Sequence, residues 1–445
     1  MKNVHCFFAL LLFASVFLSC SDNDGLVEDE TEFPQELSTV VSYEEALKEV
    51  NAMLDFFENQ NNSSALKSSV KGRRIANHYT TKSGDAKLKS SSDDENEEGD
   101  DDYFVHVFNF ENDEGFAIIS GDTRTVLVLA FAESGNLNEG VEIDNPGLVM
   151  FLANLETKLE GLSPIDTPQP WIPNNPPSPP YTSYSPWVNN QVFGNIIAAE
   201  WGQHAPYNNY CPVISGENAL AGCVPIAIAQ IMYHYGYPDS FGPYILHWDR
   251  IKKHTNIHTG NDSLAHNDIA RLVQQIGDYL NTSYGTDGSG TSTKYVAYML
   301  DILGYSCGGY LYNYNFNNVK ESVIDGRPVF VEGYAIKTIT NYYIFGLKIG
   351  QSESYSRGHA WVIDAVLERK RTVSNYDNGV LINQSYQYEY LVHCNWGWDG
   401  QDNGYYYSEA FNTYPGPVTK GTSTTEEGTV YNYRFELKSN ADIIK

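Results

Sequence analysis

The sequence predicts an α+β protein in which helices precede a set of antiparallel strands. Apolar residues recur at helical spacing in 266–281 and 292–304, and small and apolar residues from 219 to 235 indicate another helix. From Arg327 onwards, apolar and polar residues alternate as in strands, for example in HAWVIDAVL. Helices followed by antiparallel strands are typical of an α+β domain.

A smaller α+β segment precedes these elements. Ser42 and Glu45 occupy capping-box positions, and apolar residues follow them at helical spacing, so residues 42–58 predict a helix. Residues 103–134 predict a β-hairpin or meander, because apolar runs flank an Asn-Asp-Glu-Gly turn. Residues 147–162 predict a second helix.

A proline-rich segment divides the chain. Residues 164–186 contain nine prolines, which predicts an extended linker at a domain boundary. We therefore divide the chain into a leader over 1–20, a front domain over 21–165, a linker over 166–190 and a C-terminal domain over 191–445.

Negative charge is concentrated in the front part of the chain. The 445 residues include 28 basic and 56 acidic side chains, and residues 21–190 hold 32 of the acidic and 10 of the basic ones. Eight of the ten residues 93–102 are acidic, which is typical of a solvated, disordered loop. A net charge of −28 repels phosphate backbones, so it argues against nucleic-acid binding.

The leader is predicted to be an export signal. Lys2 precedes the apolar run Cys6–Leu18, which is short for a membrane span. The following Ser19-Cys20 resembles the lipobox of bacterial lipoproteins, although Phe17 stands where Leu is usual. The resemblance implies acylation of Cys20, which would attach the chain to a membrane rather than thread it through one. A plain signal peptide with an incidental cysteine is the alternative.

Four cysteines lie outside the leader: Cys211, Cys223, Cys307 and Cys394. None belongs to a CxxC pair, so a structural zinc site has no support in the sequence. If one of the four is a free nucleophile, at most one disulfide can form among the other three. The spacing does not decide which pair would form it.

Cysteine and histidine in separate motifs indicate nucleophilic catalysis. Cys223 follows Gly222 where a helix is predicted, and the free amides of a helix N-terminus lower the pKa of a thiol. His359 lies in a predicted strand and could pair with that thiol. Asn395, which closes another strand, could accept the second imidazole proton. Taken singly, each of these residues could equally be structural.

Two other candidates are disfavoured by geometry. Asp364 is five residues after His359, so on a strand their side chains point to opposite faces. His234 lies eleven residues after Cys223 on the same predicted helix, roughly 16 Å away, which excludes pairing.

Five motifs occur in one order along residues 201–407. They are WGQHAPYN, GCVPIAIAQIMYHYGYP, RPVFVEGY, GHAWVIDA and NWGWDGQDNGYY. Together they are similar to the streptopain family of papain-like cysteine proteinases. Residues 103–134 resemble part of the inhibitory pro-domain of that family. The resemblance implies a papain-like fold, with a helical part and an antiparallel sheet or barrel part, preceded by a smaller α+β pro-domain.

The resemblance also implies roles for individual residues. The nucleophile falls on Cys223 and the general base on His359. The oxyanion hole falls on the Gln203 side chain and the Cys223 backbone N–H, and the tryptophans that position the histidine fall on Trp396 and Trp398. Whether Asn395 acts as a third catalytic member stays open.

The implied protein is the zymogen of a cysteine endopeptidase that needs no metal or organic cofactor. Its partners would be protein or peptide substrates, its own pro-domain and a membrane reached through the lipid at Cys20. It would lie at the outer membrane or cell surface and could leave once the pro-domain is cut away. The resemblance further implies a preference for an apolar residue just before the cleaved one.

Three features depart from the family pattern, and two other functions stay open. Pro225, the long segment 336–357 and the acidic run at 90–102 are the departures. A surface binding lipoprotein could retain this fold, and an acyl or amide transferase could use the same Cys–His chemistry. The joint presence of Gln203, Cys223 and His359 favours an enzyme, and an acidic pro-domain favours a peptidase.

Overall fold

The computed structural model describes most of the chain after residue 39. The described residues are 40–60, 72–82, 104–123, 125–141, 143–160, 180–256, 262–307, 309–344, 347–411, 429–430 and 435–445. The predicted leader, the acidic run at 93–102 and most of the proline-rich segment lie outside them. Residues 39–445 form one compact unit. No helix within the described ranges is long and apolar enough to cross a membrane.

The described part of the chain contains seven α-helices. They are α1 Tyr43–Gln60, α2 Pro146–Glu160, α3 Cys223–Tyr235, α4 Trp248–Ile251, α5 Ser263–Tyr279, α6 Val296–Ile302 and α7 Phe316–Ile324. The predicted capping box is confirmed, because Glu45 N donates to Ser42 Oγ (3.3 Å) and Ser42 N donates to Glu45 Oε2 (2.9 Å). Helix α3 begins at Cys223 rather than at residue 219, so residues 219–222 form a non-helical segment that leads into it.

The described strands number seventeen. They are β1 Ile75–Lys82, β2 Phe104–Phe110, β3 Phe116–Ser120, β4 Val128–Ala132, β5 Tyr181–Tyr184, β6 Val188–Gly194, β7 Val213–Ile214, β8 Glu217–Asn218, β9 Ser240–Phe241, β10 Tyr244–Ile245, β11 Tyr312–Asn313, β12 Val329–Ile344, β13 Leu347–Asp377, β14 Val380–Asn395, β15 Gly404–Tyr407, β16 Thr429–Val430 and β17 Phe435–Asn440. The predicted α+β class is confirmed, since the main sheet is antiparallel throughout its described pairings.

One antiparallel sheet joins the front of the chain to its C-terminal part. Its strands run in the order β1-β2-β3-β4-β15-β14-β13-β12-β17-β11. We call residues 40–160 the front segment and residues 180–445 the C-terminal part. They meet where β4 pairs with β15, with Ala130 opposite Tyr406 and Ala132 opposite Gly404. The front segment therefore extends the sheet of the C-terminal part.

Two predictions about strands need correction. The predicted linker ends in a strand, because Tyr181–Tyr184 pairs with β13 and Tyr181 stacks on Tyr376 with ring centroids 4.9 Å apart. The segments HAWVIDAVL and YEYLVHCNW are parts of the much longer strands β13 and β14, which continue into a hairpin that turns at Asn378-Gly379. Most residues of that extension are polar or charged, and Val380, Leu381 and Ile382 within it are consecutive apolar residues, so no apolar alternation revealed it.

Three apolar clusters form the core, and two of them cross between the front segment and the C-terminal part. The first surrounds α3 and includes Phe330, Ala360 and Val362. The second places α2 against Trp361 and Trp396. The third places α1 against residues of β13, β14 and β15. Because strand side chains alternate, β13 contributes to different clusters from its two faces.

A buried arginine links α1 to the C-terminal part. Arg369 on β13 donates to Glu49 on α1 (2.6 Å), to Glu389 on β14 (2.6 Å) and to Asn189 on β6 (2.8 Å). Its side chain is 1% exposed. Charge-assisted hydrogen bonds in such surroundings are strong, and removing one partner is costly.

We expect Glu49→Ala to loosen α1. Losing a hydrogen bond to a charged group costs about 2 kcal/mol, so amides of residues 43–60 should exchange with deuterium about 30-fold faster in a local opening. The measurement is peptide-level hydrogen exchange of the full chain. Glu44→Ala, at an exposed position of the same helix, is the matched control and should change exchange little. Equal exchange in the two variants would contradict the role of this contact.

Candidate active site

Cys223 begins helix α3 behind a glycine that its backbone requires. Gly222 has φ +91°, a conformation that side chains other than glycine's rarely adopt. A Cβ at this position would also lie 3.4 Å from Ser289. The thiol is thereby presented, half-buried, at the start of a helix whose next ten residues are buried.

Opposing effects act on the Cys223 thiol. Burial is the largest, and it raises the pKa of the thiol above its ordinary value. Hydrogen bonding to the backbone N–H groups of Ala360, Val224 and Cys223 itself lowers that pKa, and the negative charge of Glu332 raises it. The net pKa is raised, so in this form of the chain Cys223 is a protonated thiol at neutral pH.

His359 lies on β13 directly before Ala360 and is 3% exposed. Its Nε2 is 2.8 Å from the carbonyl oxygen of Trp396. A carbonyl only accepts, so Nε2 carries the hydrogen and Nδ1 of the neutral ring is an acceptor. Burial lowers the pKa of His359 to about 4, and the hydrogen bond to Trp396 offsets part of that effect. The imidazole is therefore neutral at neutral pH, and Nδ1 is its unprotonated nitrogen.

Three indole rings surround His359. The ring centroids of Trp361, Trp396 and Trp398 lie 6.3, 6.4 and 6.3 Å from that of the imidazole. Trp396 is fixed by its own indole N–H, which donates to Asp402 O (3.0 Å). Trp361 was missed from the sequence, although its position two residues after His359 on a strand places both side chains on one face.

The side chain of Asn395 contacts other groups. Its Nδ2 donates to Ala199 O (2.7 Å), and its Oδ1 accepts from Gly397 N (3.3 Å). Among the described contacts, the backbone carbonyl of Trp396 occupies the accepting position that the sequence offered to Asn395. No sequence pattern marks a functional backbone carbonyl, so this feature could not be predicted.

The two disfavoured candidates lie elsewhere. Asp364 bonds His393 Nδ1 (2.6 Å) and accepts from Ile197 N (3.1 Å). His234 Nδ1 bonds Ile196 O (2.9 Å). The reasoning that separated both residues from the Cys223–His359 pair therefore agrees with their observed contacts.

Gln203 is buried next to residues 219–222, the segment that leads into Cys223. Its backbone carbonyl accepts from Ala221 N (3.0 Å), two residues before the cysteine. The same segment is bound by a second loop, because Ser289 Oγ donates to Leu220 O (2.6 Å). The loop containing Ser289 thus packs beside Gly222, the residue before the cysteine.

The other three described cysteines are free thiols. Cys211, Cys307 and Cys394 are buried, and no disulfide joins them. Burial raises the pKa of Cys211 to about 11 and that of Cys307 to about 12. These values make both thiols poor nucleophiles at neutral pH.

The front segment packs against the residues that hold His359. A Cβ on Gly147 of α2 would lie 2.2 Å from the Trp396 ring, so helix and indole are in direct contact. Asn145 caps α2 by accepting from Gly147 N (3.0 Å), and its Nδ2 donates to Asp402 Oδ2 (3.2 Å). Asp402 is the residue whose carbonyl fixes the Trp396 indole. The front segment therefore contacts Trp396 and Asp402, and Trp396 in turn holds His359 through its carbonyl.

Two protein-family models match separate parts of the chain. Residues 201–406 match the model described as Peptidase C10 family, and residues 38–159 match the one described as Spi protease inhibitor. The C-terminal part is therefore similar to the Peptidase C10 family, and the front segment is similar to a protease inhibitor. The two matches indicate a streptopain-like cysteine peptidase that follows an inhibitory pro-domain, in agreement with the resemblance seen in the sequence.

Curated relatives are distant in sequence. The thiol protease/hemagglutinin PrtT of Porphyromonas gingivalis is 23% identical over 355 residues, and the match covers 72% of this chain and 35% of PrtT. Streptopain of Streptococcus pyogenes is 22% identical over 355 residues, with 69% of this chain and 74% of streptopain covered. The chain thus spans well under half of PrtT.

Two solved structures from Prevotella intermedia are also similar. A prointerpain A fragment has a TM-score of 0.48 at 20% identity, covering 75% of this chain and 94% of the fragment. Active interpain A has a TM-score of 0.38 at 19% identity, covering 58% of this chain and 100% of its own.

The raised thiol pKa predicts slow, pH-dependent alkylation of Cys223 in the uncut chain. Because the thiolate is the reacting species and the pKa lies above 9, the rate should rise about tenfold per pH unit from pH 6 to 9. Iodoacetamide labelling followed by mass mapping measures it, with Cys223→Ala reporting labelling of the other cysteines. A fast rate that does not change over this range would show that the thiolate is already formed.

Proposed function

We propose that the chain is the zymogen of a cysteine endopeptidase in which Cys223 is the nucleophile and His359 the general base and acid. The observation that supports this most directly is the contact of the Cys223 thiol with the backbone of Ala360, which acts to lower the pKa of the thiol. This contact brings the thiol against the residue next to His359, whose Nε2 is held by Trp396 and whose Nδ1 is an acceptor.

In this mechanism His359 Nδ1 takes the proton of the Cys223 thiol, and the thiolate attacks the scissile carbonyl carbon. The oxyanion that forms accepts hydrogen bonds from the Gln203 side-chain amide and the Cys223 backbone N–H. The imidazolium then protonates the leaving amine, and water hydrolyses the thioester. Trp396 orients the imidazole through its carbonyl, and its ring together with that of Trp398 shields the bond from water. No step needs a metal or an organic cofactor.

The front segment acts as the inhibitor. We place the inhibitory pro-domain within residues 21–165, the activation region within 166–190 and the catalytic domain in 191–445. The contacts of α2 with Trp396 and of α1 with Arg369 support the assignment of the front segment as the inhibitor of the C-terminal part. Because β5 and β6 pair with β13, a cut before Pro180 would leave both strands with the catalytic domain.

Export and anchoring form the remaining part of the proposal. Residues 1–20 act as a signal, and acylation of Cys20 holds the zymogen at the outer membrane or cell surface. Protein and peptide substrates would meet it there, and cleavage of the linker would release the catalytic domain from the lipid-bearing part.

Replacing Cys223 tests the nucleophile. Cys223→Ala should abolish casein hydrolysis, and His359→Ala should come close, each by about a thousandfold or more. An epoxide thiol inhibitor should label Cys223 in the activated protein and be located by mass mapping. Cys211→Ala removes another buried thiol and should retain activity. Undiminished hydrolysis by Cys223→Ala would reject the proposal.

Cutting the linker tests latency. The full chain should be nearly inactive, and the same protein cleaved between residues 165 and 180 should gain activity, because its inhibitor no longer acts at the effective concentration of a tethered segment. Initial rates at equal concentration of Cys223 measure the difference. Equal rates of the uncut chain and of the cleaved chain separated from its front segment would mean that the front segment serves folding or display instead.

A further inference from the structure

Trp396 is held by hydrogen bonds on both sides of its Cα atom. Its carbonyl oxygen accepts from His359 Nε2 (2.8 Å), and its backbone N–H donates to Oδ1 of Asn403 (2.9 Å). Asn403 is 2% exposed, and a hydrogen bond buried in this way is electrostatically stronger than one in water. The Asn403 side chain therefore binds the residue that binds the imidazole.

The direction of the Trp396 carbonyl depends on what fixes the backbone around it. Only two soft dihedral angles connect the N–H of a residue with its carbonyl, so anchoring the N–H restricts where the carbonyl points. The next residue is Gly397, with φ +69°, and glycine restricts the backbone least. The N–H of Gly397 binds Asn395 over 3.3 Å, whereas the bond from Trp396 N to Asn403 is 2.9 Å long. Asn403 thus provides the shorter of these two anchors.

The bond between the Asn403 side chain and Trp396 lies within the C-terminal part. In the uncut chain, the front segment reaches Asn403 at its backbone, where Glu133 N donates to Asn403 O (2.7 Å). Removal of the front segment takes away that backbone bond and leaves both partners of the side-chain bond in place. The side-chain bond is therefore available to the activated peptidase.

The position of the imidazole controls the proposed proton transfer. His359 Nδ1 has to meet the proton of the Cys223 thiol, and the bond of Nε2 to the Trp396 carbonyl orients the ring. A displacement of about 1 Å at a reacting group can lower a rate about a hundredfold. Burial lowers the pKa of His359, and the bond to Trp396 offsets part of that effect because the carbonyl stabilises the imidazolium.

We propose that Asn403 is a positioning residue for peptide hydrolysis: by holding the Trp396 N–H, it directs the Trp396 carbonyl at His359 and keeps the imidazole aligned with the Cys223 thiol. This inference rests on the proposed endopeptidase function of Cys223 and His359. It differs from the role considered for Asn395, because Asn403 acts on the imidazole through Trp396.

The test compares Asn403→Ala with the wild-type chain, each activated by cleavage of its linker, assayed at high dilution and titrated with an epoxide thiol inhibitor. Titration counts only sites that react, so loss of folded protein does not lower the measured kcat. With a fluorogenic peptide, kcat should fall about tenfold or more while KM stays within about twofold, because the proposed role involves no contact with substrate.

The pH dependence gives a second measurement on the same two proteins. A weaker bond to Trp396 leaves the effect of burial on the pKa of His359 less compensated, so that pKa falls further. At least one limb of the kcat/KM profile should therefore move to lower pH by about half a pH unit in Asn403→Ala. A purely structural role for Asn403 would leave both limbs where they are.

Three further variants make the test specific. Asn403→Asp keeps an acceptor, and Nδ2 of Asn403 has no hydrogen-bond partner among the described residues, so kcat should stay within about fivefold of wild type. Asn403→Leu fills a similar volume without an acceptor, and it should reproduce the loss if Asn403→Ala yields no titratable protein. Asn440→Ala, the matched control, removes another buried asparagine that binds backbone carbonyls and should change neither kcat nor the pH profile.

Three outcomes would overturn the positioning role while leaving the peptidase assignment intact. They are a kcat of Asn403→Ala within about threefold of wild type, an unchanged pH profile, or an equal loss of kcat in Asn403→Asp. Absence of any hydrolysis by the activated wild-type chain would overturn the proposed function as well.

Discussion

The pairing of β4 with β15 is the contact on which the arrangement of the whole chain depends. It requires close backbone approach, since a Cβ on Gly404 would lie 2.5 Å from the carbonyl oxygen of Phe131. Through it the strands of the front segment continue the sheet of the peptidase. Strand β15 is an interior strand here only because β4 covers one of its edges. The front segment is therefore an integral part of the main sheet and shares its backbone hydrogen bonding with the C-terminal part.

Successive side chains of β13 point to opposite faces of the sheet, so the two apolar clusters contact different residues of the active site. Ala360 packs in the cluster around α3, and its backbone is close enough to the Cys223 thiol to lower the pKa of that thiol. The adjacent His359 packs beside Trp361, on the side that α2 contacts. The front segment thus contacts Trp396, whose carbonyl binds His359. The cluster around α3, the helix that carries Cys223, consists of residues of the C-terminal part. With the His359 pKa lowered and the Cys223 pKa raised, thiol and imidazole are both neutral in the uncut chain.

The sequence predicted those features that have a local pattern. The capping box at Ser42, the meander at 103–134 and the Cys223 helix start each follow from residues close together in the chain. The role of the Trp396 carbonyl could not be predicted, because every residue has one and only the fold selects it. The Glu49–Arg369 contact joins positions 320 residues apart, so it too depends on tertiary structure.

In the proposed activation, cutting the linker does not by itself remove the front segment, because its contacts with the C-terminal part do not involve the linker. A cut leaves the β4–β15 pairing, the α2–Trp396 contact and the Glu49–Arg369 bond intact, so it changes only the effective concentration of the front segment. Inhibition then falls with dilution, or when the separated segment unfolds or is digested. Once it departs, β15 becomes an edge strand, and the apolar residues that packed on α1 and α2 are exposed to water. The departure of the front segment also removes α2 from the Trp396 ring and the Asn145 bond from Asp402, which are the contacts through which that segment supports Trp396 and, through it, His359.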